Sequence, residues 1–218
     1  RTACEHSRAK GKDLWIRMGW LYLDTIEVMD ILTNENEKVI ALNQLEDFAR
    51  IDEIFEEYGD RIAGVVTEFP TNPLLQACDL EKVKELCDKT NSLLIADPTM
   101  ASPKNAKVSG LADVVVNSLT KYAGCEGDVM MGSLVFPKKS VLGRELLPQT
   151  ADRICPPFER DLLRMAEQIE HYDNFIETTN QSLIKIVDFL ESHEKVGAVH
   201  WAYQSANRGA FERLAGTD

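Results

Sequence analysis

The chain has 218 residues, 44% of them hydrophobic, which is enough to build the buried core of one large domain. Its formal net charge is −12, from 36 acidic and 24 basic residues. Nucleic acids and anionic membranes are recognised largely through basic surface patches, so this charge balance argues against both as partners. We therefore expect no nucleic-acid partner and no membrane partner.

Cysteine and histidine usage points to a reducing compartment and to no metal. The five cysteines are scattered and show no paired or zinc-like spacing, which is typical of reduced thiols. The four histidines lie at unrelated spacings, so the sequence predicts no metal site. No apolar run approaches the roughly 18 residues that a membrane span needs, and no signal-peptide pattern opens the chain. These features predict a cytoplasmic protein.

The start of the chain alternates between helical and strand patterns. Residues 1–8 are small and polar and could end a helix, while the apolar and aromatic residues 14–22 could form a strand or a packed loop. Asp24 or Thr25 is expected to cap a short helix that runs to Leu32.

A strand, helix, strand alternation follows. Residues 39–42 predict a short strand, and residues 45–55 predict one helix. The buried face of that helix consists of Phe48, Ile51, Ile54 and Phe55. The next strand is expected at residues 62–69, and Asp79 is expected to cap the helix that comes after it. This alternation predicts a right-handed parallel sheet.

Two short apolar runs, residues 92–96 and 113–117, have the composition of buried strands in a parallel sheet. Further strands are expected at residues 129–136 and 196–201. The remaining helical patterns are residues 138–146 and, after two prolines, residues 158–190, read as two helices or one bent helix.

Side chains with useful chemistry follow these two apolar runs. Asp97 comes after the first run, and Ser118, Thr120 and Lys121 come after the second. Ligands of open α/β sheets bind at the carboxyl ends of the strands, so these side chains are expected to converge. Pyridoxal phosphate needs an amine for its aldehyde, a carboxylate for its ring nitrogen and hydroxyls for its phosphate. The alternative is a capping aspartate and a solvated lysine, but the ordered set favours a cofactor site.

Four linked blocks, residues 68–74, 97–103, 112–122 and 127–132, resemble the Cys/Met-metabolism family of pyridoxal-phosphate enzymes, which includes cystathionine synthases and lyases. The first block is similar to the family's E-x-P-x-N-P segment. The resemblance implies an α/β fold, the pyridoxal-phosphate-dependent transferase fold (aspartate aminotransferase-like, fold type I), with a mostly parallel sheet flanked by helices.

The resemblance also implies a division of the chain and a role for five residues. Residues 1–157 would form the central part of the large cofactor-binding domain, and residues 158–218 the connecting helices and the start of the small carboxyl-terminal domain. Lys121 would form the Schiff base with pyridoxal 5'-phosphate and move the Cα proton. The other cofactor-binding residues would be Asp97 at the ring nitrogen, Ser118 and Thr120 at the phosphate, and Asn72 beside the ring hydroxyl.

The function implied is that of a cystathionine γ-synthase-like enzyme, which joins cysteine to an activated homoserine by γ-replacement. A cystathionine β- or γ-lyase, a methionine γ-lyase or a homoserine sulfhydrylase stays open as an alternative. An alternative of another class is a non-catalytic α/β dimerisation module.

By resemblance, the chain spans only the middle of a family member. The aromatic residue that stacks on the cofactor ring, a phosphate loop and the arginine for the substrate carboxylate are then expected outside it. A small-molecule amino-acid substrate and a homodimer or homotetramer are expected as partners. Trp15, Trp20 and Tyr22 could lie at such an interface or pack under the sheet.

Overall fold

The computed structural model describes residues 1–204, 206 and 208–216. Within these residues a six-stranded sheet has the order β2-β1-β3-β4-β5-β6. Its strands are β1 (Leu14–Met18), β2 (Lys38–Leu42), β3 (Ile62–Glu68), β4 (Leu93–Asp97), β5 (Val114–Ser118) and β6 (Gly132–Val135). The first five strands pair in parallel, and β6 is an antiparallel edge strand beside β5. The predicted mostly parallel sheet is confirmed.

Helices cover both faces of the sheet. They are α1 (Thr2–Ala9), α2 (Leu23–Leu32), α3 (Leu45–Phe48), α4 (Ile51–Tyr58), α5 (Leu80–Thr90), α6 (Ser102–Asn105), α7 (Val141–Ala151), α8 (Glu159–Gln168), α9 (Tyr172–Glu191) and α10 (Arg208–Glu212). Asp79 caps α5 as predicted, accepting a hydrogen bond from the Lys82 backbone N–H at 3.2 Å. Asn91, in the left-handed conformation with φ of 52°, ends the same helix.

Alternate side chains of the central strands build two apolar layers. Ile16 and Leu94 point into the larger layer, which α3, α4 and α5 cover. Trp15 and Leu93 point into the other layer, which α1 and α7 cover. Because both faces are covered, the central strands are mostly apolar rather than alternating, and their polar residues gather near their carboxyl ends.

The aromatic residues near the start of the chain divide between core and surface. Trp15 is only 2% exposed and packs under the sheet, whereas Trp20 and Tyr22 are 44% and 53% exposed. Among the described residues, no helix is both long enough and apolar enough to cross a bilayer.

The single helix predicted for residues 45–55 is wrong. The structure has two helices, α3 and α4, separated by Ala49 and Arg50. The Asp47 carboxylate accepts the backbone N–H groups of Asn43 and Gln44, both at 3.1 Å, and so caps the start of α3. The four side chains predicted to form the buried face are buried nevertheless.

The strand predicted at residues 196–201 is also wrong, because this segment has no regular structure. It leads into an aromatic stack instead: Trp201 lies 5.4 Å from Tyr203, and Tyr203 lies 5.1 Å from Phe211, measured between ring centroids. Phe211 in turn stacks on Phe69 at 5.8 Å. These contacts hold the segment against the core without a place in the sheet.

The predicted strand over residues 129–136 is shorter, since β6 begins at Gly132. Residues 158–190 form α8 and α9 joined by the short 3-10 turn Ile169–His171, which agrees with two helices or one bent helix. The domain division after residue 157 stays a prediction. The carboxyl-terminal residues do pack back onto the large core, where Phe211 is buried and Ala215 bridges Ala106.

Candidate active site

Three neighbouring strands end at one edge of the sheet, and each ends in a polar residue. Glu68, Asp97 and Ser118 are the last residues of β3, β4 and β5, and Glu68 lies opposite Asp97 in the strand register. Parallel strands end together, so these three side chains open onto the same space. That space is a cavity of about 620 Å³, within the range usual for small-molecule sites.

All five predicted site residues line this cavity: Asn72, Asp97, Ser118, Thr120 and Lys121. Sequence reasoning therefore identified residues that the fold brings together. The individual roles given to them by resemblance stay predictions. The wall also contains residues that were not predicted to belong to the site, among them Asp24, Thr99, Met130 and Phe175.

Asp97 is half-buried, and among the described residues only one of its two carboxylate oxygens is hydrogen-bonded. Its Oδ1 accepts a hydrogen bond from the Thr99 backbone N–H at 2.8 Å and another from the Thr99 hydroxyl at 2.5 Å. No described residue donates to its Oδ2. Burial raises the pKa of Asp97, and the two bonds from Thr99 oppose that shift. The open oxygen is available to a donor or a cation in the cavity.

Thr99 is a residue that sequence reasoning missed. Its hydroxyl oxygen also accepts the Ser118 backbone N–H at 2.9 Å, so it joins the ends of β4 and β5. The position of Thr99 two residues after the acid is the only sequence signal for this role.

Lys121 lies in the turn that follows β5, and its side chain is exposed. Across the part of the chain that the structure describes, its amine makes no hydrogen bond or ion pair, and neither does the Ser118 hydroxyl. Thr120 differs, because its Oγ accepts the Met131 backbone N–H at 3.2 Å and donates to the Met131 carbonyl at 3.4 Å. Thr120 therefore helps to close the loop between Lys121 and β6.

That loop is anchored to α8. Arg164 pairs with Glu126 at 2.5 Å and with Asp128 at 2.9 Å. Gln168, which is buried, donates from Nε2 to Asp128 at 2.6 Å. These contacts hold the chain that follows Lys121 against the body of the protein.

Glu68 is a second buried acid in the cavity wall, 6% exposed. One carboxylate oxygen accepts the Tyr22 backbone N–H at 2.6 Å, and the other accepts the Asn72 backbone N–H at 3.0 Å. Burial raises the pKa of Glu68, the Asp97 charge raises it further, and the two N–H groups oppose the shift. The sequence placed Glu68 in a motif but gave it no role.

Tyr22 supplies an aromatic ring to the cavity wall. The resemblance implied that the aromatic residue that stacks on the cofactor lies outside this chain, whereas the ring of Tyr22, half-exposed, is available on this wall. The signal available in the sequence was the aromatic run at the carboxyl end of β1.

The loop that carries Tyr22 packs closely on the loop that follows β3. Gly19 has φ of +87°, and a Cβ atom added there would lie 2.2 Å from the γ-methyl group of Thr71. Only glycine permits both the backbone conformation and this approach.

The donor set fits pyridoxal phosphate. The cavity offers an open amine, a carboxylate with one open oxygen, a hydroxyl without a partner and an exposed aromatic ring, which match the aldehyde, the ring nitrogen, the phosphate and the ring face. The lining includes the acids Asp24, Glu68 and Asp97 and no arginine among the described residues. Within the same residues, no His, Cys, Asp and Glu group is arranged to hold a metal ion.

Residues 6–212, nearly the whole chain, match the family model described as Cys/Met metabolism PLP-dependent enzyme. The chain belongs to this family. PLP is pyridoxal phosphate, so the predicted family, the cofactor and the assignment to an enzyme family are confirmed.

Two curated relatives show how much of a family member the chain represents. It is 31% identical over 207 residues to L-2-amino-4-chloropent-4-enoate dechlorinase/desaturase of Streptantibioticus cattleyicolor, covering 95% of this chain and 41% of that enzyme. It is 32% identical over 165 residues to the chloroplastic cystathionine gamma-synthase 1 of Arabidopsis thaliana, covering 71% of this chain and 27% of that enzyme. The chain thus spans less than half the length of these relatives.

Solved structures of the family share the fold. The metB protein of Corynebacterium glutamicum superposes with a TM-score of 0.79 at 24% identity, over 98% of this chain and 56% of that one. Cystathionine gamma synthase of Xanthomonas oryzae pv. oryzae gives a TM-score of 0.77 at 22% identity, over 93% of this chain and 52% of that one. The predicted pyridoxal-phosphate-dependent transferase fold is confirmed.

Proposed function

We propose that this chain is the core of a pyridoxal-phosphate-dependent transsulfuration enzyme of the cystathionine γ-synthase type, which joins cysteine to an activated homoserine by γ-replacement. The observation that carries the proposal is the pairing of an open amine with an open carboxylate oxygen in one cavity. Lys121 and Asp97 come from the ends of neighbouring strands and both line it.

The names of the relatives support chemistry at the γ carbon of an amino acid. The Arabidopsis thaliana relative is named as a γ-synthase. The Streptantibioticus cattleyicolor relative is named for removing chlorine from 2-amino-4-chloropent-4-enoate, in which the chlorine is carried by the γ carbon. Both names describe reactions in which a group leaves the γ carbon. The second candidate reaction for this chain is therefore γ-elimination.

When bound, pyridoxal phosphate supplies an electron sink for the electron pair left at the substrate Cα. Lys121 would hold the cofactor through its aldehyde and then, as a free amine, move the proton of the substrate Cα. The open Oδ2 of Asp97 would face the ring nitrogen, and its negative charge would keep that nitrogen protonated. Burial raises the pKa of Asp97, and a cation beside it would favour the ionised carboxylate.

The remaining residues would bind and orient. Ser118 and Thr120 would donate to the phosphate, although the Thr120 hydroxyl must give up its long bond to the Met131 carbonyl to do so. Asn72 would lie beside the ring hydroxyl, and the exposed ring of Tyr22 would stack on the cofactor.

We also propose that the working protein is a homodimer or homotetramer. A phosphate dianion in this cavity meets three acids and one lysine, so the cations that balance its charge must come from outside the described lining. The exposed aromatic residue Trp20, two positions before Tyr22 of the cavity wall, suits contact with a second subunit. Light scattering on the full-length protein tests this, and a fully active monomer would contradict it.

The cofactor assignment is tested by the absorbance spectrum of the full-length protein with pyridoxal phosphate. We expect a visible band that borohydride removes, no such band in Lys121→Ala, and an unchanged band in Lys139→Ala, a matched exposed lysine away from the cavity. A band that persists in Lys121→Ala would remove the lysine assignment. A wild-type protein without any band would favour the non-catalytic module.

The reaction is tested by supplying an activated homoserine with and without cysteine. Cystathionine formed only with cysteine supports γ-replacement. Release of ammonia and 2-oxobutanoate at the same rate without cysteine would favour γ-elimination instead.

A further inference from the structure

We propose that Glu68 is a positioning residue, whose carboxylate holds the backbones of Tyr22 and Asn72 so that both side chains face the cavity. The cofactor as the ligand of this cavity rests on the proposed function, whereas the contacts themselves do not. Glu68 comes from the end of β3, and the two N–H groups it accepts belong to two different loops, one after β1 and one after β3.

The Glu68 carboxylate joins the two loops by one hydrogen bond to each. Tyr22 lies 46 positions before Glu68 in the chain, and Asn72 lies four positions after it. Each carboxylate oxygen accepts one N–H, at 2.6 and 3.0 Å. Hydrogen bonds to an ionised carboxylate are stronger than those between neutral groups. Each loop carries a residue that lines the cavity, so the carboxylate sets the distance between two parts of one wall.

An amide in place of this carboxylate could not make both contacts. Each oxygen of an ionised carboxylate is an acceptor, whereas the NH2 group of an amide can only donate. A donor placed against a backbone N–H repels it and leaves that N–H without a partner, so one loop would come free.

The surroundings of Glu68 also argue for a role beyond packing. Asp97 faces it from β4, Asp24 lies at the start of α2, and Lys121 is the one basic residue in the described lining of the cavity. A buried acid beside another acid is unfavourable unless its hydrogen bonds compensate. A neutral side chain would fill the same volume without that repulsion, but it could not accept both N–H groups.

The first test needs no cofactor. In the full-length protein we measure amide hydrogen exchange in wild type, in Glu68→Gln and in Asp113→Asn, a control that alters a buried acid at the opposite edge of the sheet. We expect exchange at Tyr22, at Asn72 or at both to accelerate about tenfold or more in Glu68→Gln, with no such change in the control. Equal protection of both amides in all three proteins would overturn the proposal.

The second test measures binding of 4'-deoxypyridoxine 5'-phosphate, which lacks the aldehyde and so reports positioning without attachment to Lys121. We expect Glu68→Gln to bind it about tenfold more weakly than wild type, while Asp113→Asn keeps its affinity within about twofold. Affinity unchanged in Glu68→Gln would overturn the proposal. Should that variant unfold, Glu68→Asp decides, since its shorter carboxylate reaches one loop at most and should also weaken binding.

The two tests separate this proposal from the proposed function. If wild type fails to bind the analogue, the cofactor assignment fails, but the hydrogen-exchange result still decides whether Glu68 holds the two loops. If wild type binds the analogue and Glu68→Gln binds it equally well, the cofactor assignment stands and the positioning role falls.

Discussion

At the amino-terminal edge of the sheet, Lys12 and Asp113 are buried and fully hydrogen-bonded, whereas at the carboxyl-terminal edge Lys121 and Asp97 each keep a polar atom open. Lys12, 7% exposed, donates to the carbonyls of Asp60, Ile62 and Thr90 at 3.1, 3.0 and 2.8 Å. Burial lowers the pKa of Lys12. All three protons of this ammonium are used within the protein.

The carboxylate of Asp113 is likewise fully hydrogen-bonded within the protein. One oxygen accepts from Lys84 at 3.1 Å and from the Ser140 hydroxyl at 2.6 Å, and the other accepts the Leu94 N–H at 2.8 Å. These contacts join α5, β4 and α7. Both oxygens of Asp113 are therefore occupied by contacts within the protein.

The comparison teaches that residue type does not distinguish a structural group from a site. Each edge has a lysine and an acid close to the ends of the strands. What differs is whether hydrogen-bonding capacity is used up inside the protein or left open toward a cavity. Stability should therefore depend on one edge and ligand binding on the other.

The largest expected effect on stability is at Lys12. Replacing it in Lys12→Met leaves three carbonyls without their donor, and we expect the free energy of unfolding to fall by about 3 kcal/mol or more. Lys121→Met, with the same change of side chain at the open edge, should alter it by less than about 0.5 kcal/mol. Urea denaturation of both variants measures this. Equal losses of stability in Lys12→Met and Lys121→Met would contradict the proposed difference between the two edges of the sheet.

The second expected effect is on cofactor binding. Asp97→Asn keeps an oxygen for Thr99 but removes the charge that faces the ring nitrogen, so we expect a loss of about 2 to 4 kcal/mol in pyridoxal phosphate affinity and nearly absent exchange of the substrate Cα proton. Asp113→Asn should do the reverse, lowering stability while keeping the affinity. Spectroscopic titration measures the affinity, and normal proton exchange in Asp97→Asn would assign the ring nitrogen to another residue.

The smallest expected effect is the pH dependence of stability. The folded pKa of Asp97 is raised by burial, so the folded state holds this proton more tightly than the unfolded state does. The stability that Asp97 contributes is present below its unfolded pKa of about 4 and is lost as pH rises through the raised value. Without cofactor, Asp97→Asn should therefore gain stability relative to wild type over that window. A stability difference between Asp97→Asn and wild type that does not change with pH would contradict this prediction.

Much of the fold was predictable because the signals are local. The apolar runs of β4 and β5 identify buried strands, and Asp79 identifies the start of α5. The break after Phe48 was not predictable from spacing, because the apolar residues on both sides of it keep a helical period. The predicted strand at residues 196–201 is absent, and this segment is held by aromatic contacts that run from Trp201 through Tyr203 to Phe211. No local sequence pattern predicts these contacts.

The site was predictable as a set of residues but not as a set of contacts. Asp97, Ser118 and Lys121 follow strand patterns, so topology alone brings them together. The bond from Tyr22 to Glu68 depends on how two loops meet in space. The bond from Thr99 to Asp97 is local, but its importance shows only when Oδ2 is seen to be open.

The close approach of Gly19 to Thr71 has a consequence for protein engineering. Because the γ-methyl group of Thr71 occupies the space that any side chain at Gly19 would need, the loops after β1 and β3 form one unit of design. A graft that places any other residue at Gly19 would overlap the Thr71 side chain, so it also requires a change in the loop after β3.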